Sequence, residues 1–130
     1  MFIANNKGGV ISFGSVNKFS SINTFSHESF HAYQLDQMGL NNSTGIEIEA
    51  MLFANSVAYD LKKWDQMIML GGNNDFNNSV MTLQCGSSLD WDAWRTAIES
   101  FPRNVGDGRY RNLTTTVYEP LIQYFYPLFK

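Results

Sequence analysis

The only two histidines of this chain stand four residues apart, in the run His27-Glu28-Ser29-Phe30-His31. Residues i and i+4 share one face of an α-helix, so both imidazoles can point at one metal ion if the run is helical. Glu28 stands next to the first ligand and can reach a water on that metal. Two neutral nitrogen ligands and a carboxylate base are the groups that a zinc hydrolase needs. The run therefore predicts a helix and a zinc site, with His27 and His31 as ligands and Glu28 as the catalytic base.

The residues around the run support a helix that contributes to the protein interior. Thr24 is a candidate N-cap, the helix runs to about Met38, and Gly39 stands where a C-terminal cap belongs. Residues 24–26 and 32–33 carry no charge, whereas a solvated helix would more often place Lys or Glu there. The alternative is a metal-free core helix whose two histidines bond to the backbone or to neighbouring side chains. That alternative suits a lone histidine better than a histidine pair with a glutamate between its members.

The rest of the chain is predicted to be mostly helical with a small strand component. A second helix begins near Ser43 or Thr44 and extends as far as Leu70, with apolar residues at helical spacing. The stretch over 71–78 is rich in glycine and asparagine and is predicted to be a loop. The remaining predicted segments are a short strand over 9–14, a helix from Ser88 to Phe101 that Pro102 stops, and a helical tail over 116–129.

The histidine run and its uncharged neighbours resemble the HExxH metallopeptidases, the zincins. Within that group the chain is most similar to the gluzincin type, whose third metal ligand is a glutamate on a following helix. The segment Glu47-Ile48-Glu49-Ala50 is similar to the E-x-x-A sequence that supplies this ligand in several such families. The resemblance implies that Glu47, three residues before Ala50, is the third ligand of the zinc ion.

The resemblance extends from Thr24 to Tyr59 and also implies a fold. We expect an α+β, mostly α, zincin-like core with an active-site helix, a following ligand-bearing helix and a small edge strand or sheet. Residues 1–130 would form a single, reduced metallopeptidase domain, or a catalytic domain cut from a longer chain. The strand over 10–13 would lie along the cleft and pair with an extended substrate. The chain is also similar to metallopeptidase domains at the ends of bacterial toxin-like proteins.

Helical geometry favours the same glutamate as the third ligand. Glu47 lies on one face with Ala50, Ala54 and Val57, a stripe of small residues that lets two helices approach closely. Glu49 lies about 200° further round the helix. Glu49 stays open as the alternative ligand. Whichever glutamate does not bind metal is expected to be a solvated carboxylate near the helix N-terminus.

One feature of the resemblance is missing from this chain. Many such families place an acidic residue four positions after the ligand glutamate, where it orients a histidine ligand, and here that position is Met51. The orienting partner must then come from elsewhere, and Asp36, Asp60 and backbone carbonyls are the candidates. The developing oxyanion also needs a donor other than histidine, and the loop over 109–111 is a candidate outside the expected catalytic set.

Composition excludes several other classes of protein. The chain has 130 residues and a net charge of -3, which suits one domain and argues against nucleic acid as a partner. Its one cysteine, Cys85, excludes an internal disulfide and is expected to be buried. Charged residues interrupt the apolar stretch over 46–70, so no membrane span is predicted. The first residues do not form a signal peptide, so we expect a cytoplasmic protein or one exported as part of a longer chain.

Together these features predict a zinc-dependent peptidase whose substrate is a peptide or a protein. Zn²⁺ is the expected cofactor, with His27, His31 and Glu47 as its ligands. Glu28 would accept a proton from the water that the zinc activates and would deliver that proton to the leaving amine. The alternative is a catalytically weak or inactive zincin-fold domain with a binding or regulatory role.

Overall fold

Helices make up most of the described structure. The computed structural model describes residues 2–5, 8–11, 21–39, 43–67, 74–104 and 113–128. Its α-helices are, in chain order, α1 (Ile22–Met38), α2 (Gly45–Asp60), α3 (Asn74–Cys85) and α4 (Trp91–Asn104). Two 3-10 segments, Trp64–Gln66 and Leu121–Leu128, follow α2 and α4. Helix α1 packs along α2, α3 packs along α4, and α2 contacts both members of the second pair.

The expected α+β zincin-like core is wrong, because the described residues build their core from helices. Their extended structure consists of one antiparallel hairpin, β1 (Phe2–Asn5) with β2 (Gly8–Ile11). Two strands of 4 residues each are too small to form the sheet layer that such a core requires. The hairpin lies beside α1. Residues 12–14 of the predicted strand lie outside the described part of the chain.

The predicted first helix is confirmed, although its N-terminal cap is a different residue. Ser21, and not Thr24, caps α1, since the Ser21 hydroxyl accepts the backbone N–H of Thr24 at 3.3 Å. Gln66 from the first 3-10 segment reinforces this end, because its Oε1 accepts the N–H of Ile22 at 2.7 Å. Gly39 ends the helix as predicted, with a φ of 69° that a residue without Cβ adopts at no steric cost.

Helix α2 is shorter than predicted. It ends at Asp60, and Lys62 adopts a φ of 59°, so the chain turns there and does not continue as a helix towards residue 70. Leu61 is exposed, so at this point no apolar contact favours another helical turn. Residues 68–70 lie outside the described part of the chain.

The C-terminal part of the chain fixes the start of α2. The N–H of Thr44 donates to the carbonyl of Thr114 at 2.8 Å. Gly45 is the first helical residue, and a Cβ there would stand 2.7 Å from the ring of Tyr118 and 3.0 Å from that of Trp94. Only glycine leaves room for both rings at this position. The first turn of α2, which carries Glu47, is therefore held against its neighbours.

The sequence pattern does not predict helix α3. Its first residues belong to the stretch over 71–78, which the sequence predicts to be a loop. The helix begins at Asn74. It buries Phe76, Val80 and Leu83, whose spacing of four and three residues places them on one face. The asparagines between these apolar residues are typical of turns, so the short amphipathic pattern is not recognised in the sequence.

Helix α4 begins and ends later than predicted. Asp90 caps its N-terminus through a side-chain hydrogen bond, which places the start at Trp91. Pro102 lies within the helix and not after its end. A proline cannot donate to the carbonyl four residues earlier, and that carbonyl, of Ile98, accepts the Thr44 hydroxyl at 3.2 Å instead. The contact with the start of α2 thus compensates for the missing helical hydrogen bond.

Three other predictions have mixed outcomes. The predicted helical tail is confirmed only over Leu121–Leu128, where it is a 3-10 helix that buries Ile122 and Tyr126. Cys85 is exposed, so the expectation that it is buried is wrong. In agreement with the sequence, no helix within the described residues combines the length and the apolar character needed to cross a membrane.

Candidate metal centre

The three side chains that the sequence predicts as metal ligands lie close together at the contact between α1 and α2. His27 Nε2 lies 3.2 Å from Glu47 Oε2, and His31 Nε2 lies 3.2 Å from Glu47 Oε1. The two histidine Nε2 atoms stand 3.1 Å apart. One donor atom from each residue lies within 4.8 Å of the other two. The structure therefore brings His27, His31 and Glu47 into one cluster.

The distances in this cluster suit a small cation with tetrahedral ligands. In a site with metal–ligand bonds of about 2.0–2.1 Å, neighbouring ligand atoms of a tetrahedron stand about 3.3 Å apart. The two histidine nitrogens stand 3.1 Å apart, and each lies 3.2 Å from a different carboxylate oxygen of Glu47, so the three groups are spaced close to that value. Two imidazole nitrogens and one carboxylate also form a donor set that zinc accepts. The residues therefore fit the metal that the sequence predicts.

Local packing explains why these side chains meet. His27 and His31 are separated by one turn of α1, so their rings lie on one face, with centroids 4.7 Å apart. Ala50 and Ala54 on α2 are fully buried, and small side chains let the two helices approach. The two helices are also fixed in register by a buried hydrogen bond, in which Asn23 Nδ2 donates to Asn55 Oδ1 at 3.1 Å.

Glu47 supplies the negative charge that attracts a cation to this cluster. Burial alone would raise the pKa of Glu47, but hydrogen bonds from His27 and His31 lower it to about 2. Burial alone would lower the pKa of His31, but the hydrogen bond and the negative charge of Glu47 raise it overall. Glu47 is therefore an anion at neutral pH, and its carboxylate faces both histidines.

Glu49, the alternative third ligand, does not belong to this cluster. Its carboxylate is fully buried and accepts hydrogen bonds from Gln34 Nε2 at 2.7 Å, from the Tyr118 hydroxyl at 3.0 Å and from the N–H of Ile122 at 3.2 Å. Burial raises its pKa despite these donors. The expectation that one of the two glutamates is solvated is wrong, since Glu47 is also largely buried, with 19% of its side chain exposed.

Glu28, the predicted base, lies on α1 beside the two histidines. Its side chain is partly exposed. Its charge acts on the imidazole of His31, where it contributes to the raised pKa. A carboxylate in that position can accept a proton from a group that approaches the cluster from solvent.

The residue that contacts the second ring nitrogen of His31 is not among the candidates from the sequence. His31 Nδ1 lies 2.8 Å from Gln34 Oε1. The candidates Asp36 and Asp60 are both exposed, and Met51 is buried in the core. The signal that points to Gln34 is its place three residues after His31 on the same helix, since residues at that spacing are neighbours.

The candidate oxyanion donors over 109–111 lie outside the described residues. The comparisons with known proteins add no further site residue, because no family model, no characterised protein and no solved structure matches the chain. The ligand set therefore depends on the geometry of the cluster and on the histidine run, and the three donor residues come from two adjacent helices.

Proposed function

We propose that the protein is a zinc-dependent hydrolase that cleaves peptide bonds, with His27, His31 and Glu47 as the metal ligands. The observation that carries this proposal is the convergence of the three donor atoms within 4.8 Å. Glu28, next to the first ligand in sequence, is the catalytic base. The peptide bond is the substrate class that the H-E-x-x-H run favours.

The kind of donors supports zinc over the alkaline-earth metals. Magnesium and calcium prefer oxygen ligands, whereas imidazole nitrogens suit zinc and other transition metals. Two histidines and one carboxylate also serve non-haem iron enzymes. Glu28 favours hydrolysis over oxygen chemistry, because a carboxylate beside the ligands is the base that a water nucleophile requires.

The two histidines of the cluster are partly exposed among the described residues, which is compatible with access by a substrate. The exposed fractions of the side chains of His27 and His31 are 23% and 12%. When bound there, zinc would lower the pKa of a water molecule and polarise a substrate carbonyl. Glu28 would hold the proton taken from the attacking water and pass it to the leaving amine. The carboxylate of Glu47, which contacts both histidines, would balance part of the charge of the metal.

The test is to replace Glu28 by Gln and to measure zinc content and peptide hydrolysis on the same preparations. We expect Glu28→Gln to keep about one zinc per chain and to lose hydrolysis by a factor of at least about a hundred, as expected for removal of a general base. Glu99→Gln is the matched control, because Glu99 is exposed on α4, and it should keep both properties.

Three outcomes would contradict the proposal in different ways. If Glu28→Gln hydrolyses peptides as fast as the wild type, Glu28 is not the catalytic base. Zinc in the wild-type protein without hydrolysis of any peptide in a broad library would leave a metal-binding module without catalytic activity. Preference for iron over zinc in a competition with both metals would contradict the assignment of the metal.

A further inference from the structure

The side chain of Gln34, on α1, forms hydrogen bonds with residues of both α1 and α2. Its side chain is buried, with 2% of the residue exposed. Its Oε1 lies 2.8 Å from His31 Nδ1. Its Nε2 donates to the backbone carbonyl of Ile46 at 3.1 Å and to Glu49 Oε2 at 2.7 Å. Ile46 immediately precedes Glu47, so one amide group links two of the three proposed ligands.

The Ile46 carbonyl fixes which way this amide faces. A carbonyl oxygen can only accept a hydrogen bond, so the group that faces Ile46 must be the NH₂ of Gln34. The amide oxygen of Gln34 then faces His31, and it also can only accept. His31 Nδ1 must therefore carry a proton. In the neutral ring the lone pair is then on Nε2, the atom that faces His27 and Glu47.

We propose that Gln34 is the positioning residue of the metal centre, because it holds His31 in the Nδ1–H form that leaves Nε2 free to bind metal. This inference rests on the proposed metal centre. Gln34 is itself held by Glu49, whose other hydrogen bonds come from Tyr118 and from the N–H of Ile122. The C-terminal part of the chain is thus connected to His31 through three successive hydrogen bonds, by way of Glu49 and Gln34.

The chemistry of the position demands an amide. A side chain at residue 34 must accept a hydrogen bond from His31 Nδ1–H and donate hydrogen bonds to Ile46 and Glu49. Only an amide of this length has both an acceptor and two donors. A glutamate of the same shape would direct a second carboxylate at Glu49. Gln34→Glu should therefore lower zinc affinity at least as much as Gln34→Leu, although carboxylates are common partners of zinc-bound histidines.

The exchange of the two side chains should restore binding in part, because the carboxylate at residue 34 still cannot donate to the Ile46 carbonyl. In Gln34→Glu combined with Glu49→Gln, the residue-34 carboxylate still accepts from His31, and the new amide at 49 donates to it. The Tyr118 hydroxyl can rotate to accept from the same amide. The double variant should therefore bind zinc more tightly than Gln34→Glu alone by a factor of about ten or more.

The experiment combines zinc affinity, measured by competition with a chelator, with nitrogen-15 NMR of the two imidazoles. The chain has only two histidines, so a His31→Ala variant assigns both rings. In the metal-free wild-type protein, at a pH where the nitrogen-15 shifts show the His31 ring to be neutral, the proton should be on Nδ1. Gln34→Leu should bind zinc about ten to a hundred times more weakly. Gln37→Leu, on the exposed face of α1, is the control and should match the wild type.

The outcomes separate this inference from the proposed function. Zinc binding by the wild type together with an Nε2–H form of His31, or with unchanged affinity in Gln34→Leu, would overturn the inference and leave the metal centre intact. Absence of zinc binding by the wild type would overturn both. If Gln34→Leu does not fold, the wild-type spectrum and the double variant still decide the question.

Discussion

The two helix pairs of this protein bury very different surfaces. Helices α1 and α2 bury apolar side chains such as Phe30 and Leu52, but they also bury polar side chains that hydrogen-bond to one another; these include Asn23, His31, Gln34, Glu49 and Asn55. Helices α3 and α4 contribute mainly apolar side chains to the core, Phe76, Val80, Leu83, Trp94, Ala97 and Ile98, and their buried Ser79 and Ser100 hydrogen-bond within their own helices. Buried polar groups contribute little net stability even when they are paired, whereas apolar burial is the dominant favourable term in folding.

The difference indicates that the two pairs have different tasks. A polar contact between helices specifies one geometry, because each donor must meet its acceptor, and a metal centre needs such precision. An apolar contact stabilises the chain without defining the direction of any lone pair. We therefore expect substitutions in α3 and α4 to change stability, and substitutions between α1 and α2 to change metal binding.

The largest expected effect on stability lies in the apolar pair. Leu83 is fully buried on α3, and Leu83→Ala should lower the free energy of unfolding by about 2–5 kcal/mol, through lost burial and the cavity that remains. Chemical denaturation of the metal-free protein measures this change. Met81→Ala is the control on the same helix, because Met81 is 49% exposed, and its effect should be much smaller.

The same variant tests whether the contact between α3 and α4 influences zinc binding at the metal centre. At a temperature where Leu83→Ala is folded, it should bind as much zinc per chain as the wild type. Loss of zinc in the folded variant would show that the apolar pair also shapes the metal centre.

A buried polar group on the C-terminal 3-10 helix gives a second prediction. The hydroxyl of Tyr126 is buried and has no hydrogen-bond partner among the described residues, and burial raises its pKa to about 12. Because the pKa in the folded protein lies above the ordinary value of 10.0, the neutral ring stabilises the fold below pH 10, and this contribution is lost as pH rises from 10 to 12. The loss should be about 1–2 kcal/mol after allowance for solvent screening.

Tyr126→Phe should remove this pH dependence, and at neutral pH it should not lower the free energy of unfolding, since no hydrogen bond is lost. Denaturation of both proteins between pH 9 and about pH 12 measures the difference. Tyr124→Phe, at an exposed position of the same 3-10 helix, is the control for general effects of alkaline pH. A fall in stability of Tyr126→Phe at neutral pH would show that the hydroxyl has a partner.

The smallest expected effect concerns the pair Asn23 and Asn55 between α1 and α2. Single substitutions by alanine and the double substitution form a cycle that isolates their interaction. The coupling free energy should be about 1 kcal/mol, as for a neutral buried hydrogen bond. A coupling near zero would mean that this contact does not hold the two helices in register.

The comparison also explains what the sequence could predict. Helix α1 is predictable because Gly39 and the spacing of the histidines define it locally. Helix α3 was missed because its apolar residues are few and lie among asparagines that are typical of turns. The predicted strand over 9–14 coincides with β2 over residues 9–11. The expected α+β zincin-like core is wrong because a resemblance over the ligand-bearing segment does not determine the packing layers of a domain, which depend on the remainder of the chain.

Within the candidate site, spacing favoured the glutamate that the structure places beside the histidines. Glu47 lies on the stripe of small residues that faces α1, and that stripe is visible in the sequence. The surroundings of Glu49 were not predictable, because Tyr118 lies 69 residues further along the chain and is brought to Glu49 by tertiary packing. Gln34 is not predictable from the histidine run, because the usual partners of a metal-bound histidine are carboxylates, backbone carbonyls and water.

The most direct test of the central claim, that His27, His31 and Glu47 form a metal centre, is the zinc content of the purified protein by mass spectrometry. The wild type and Glu99→Gln are measured beside His31→Ala and Glu47→Gln, after addition of zinc at neutral pH and removal of the excess. We predict about one zinc per chain in the first two proteins and little or none in the other two. Absence of zinc from the wild type, or retention of full zinc by His31→Ala and Glu47→Gln, would contradict the claim.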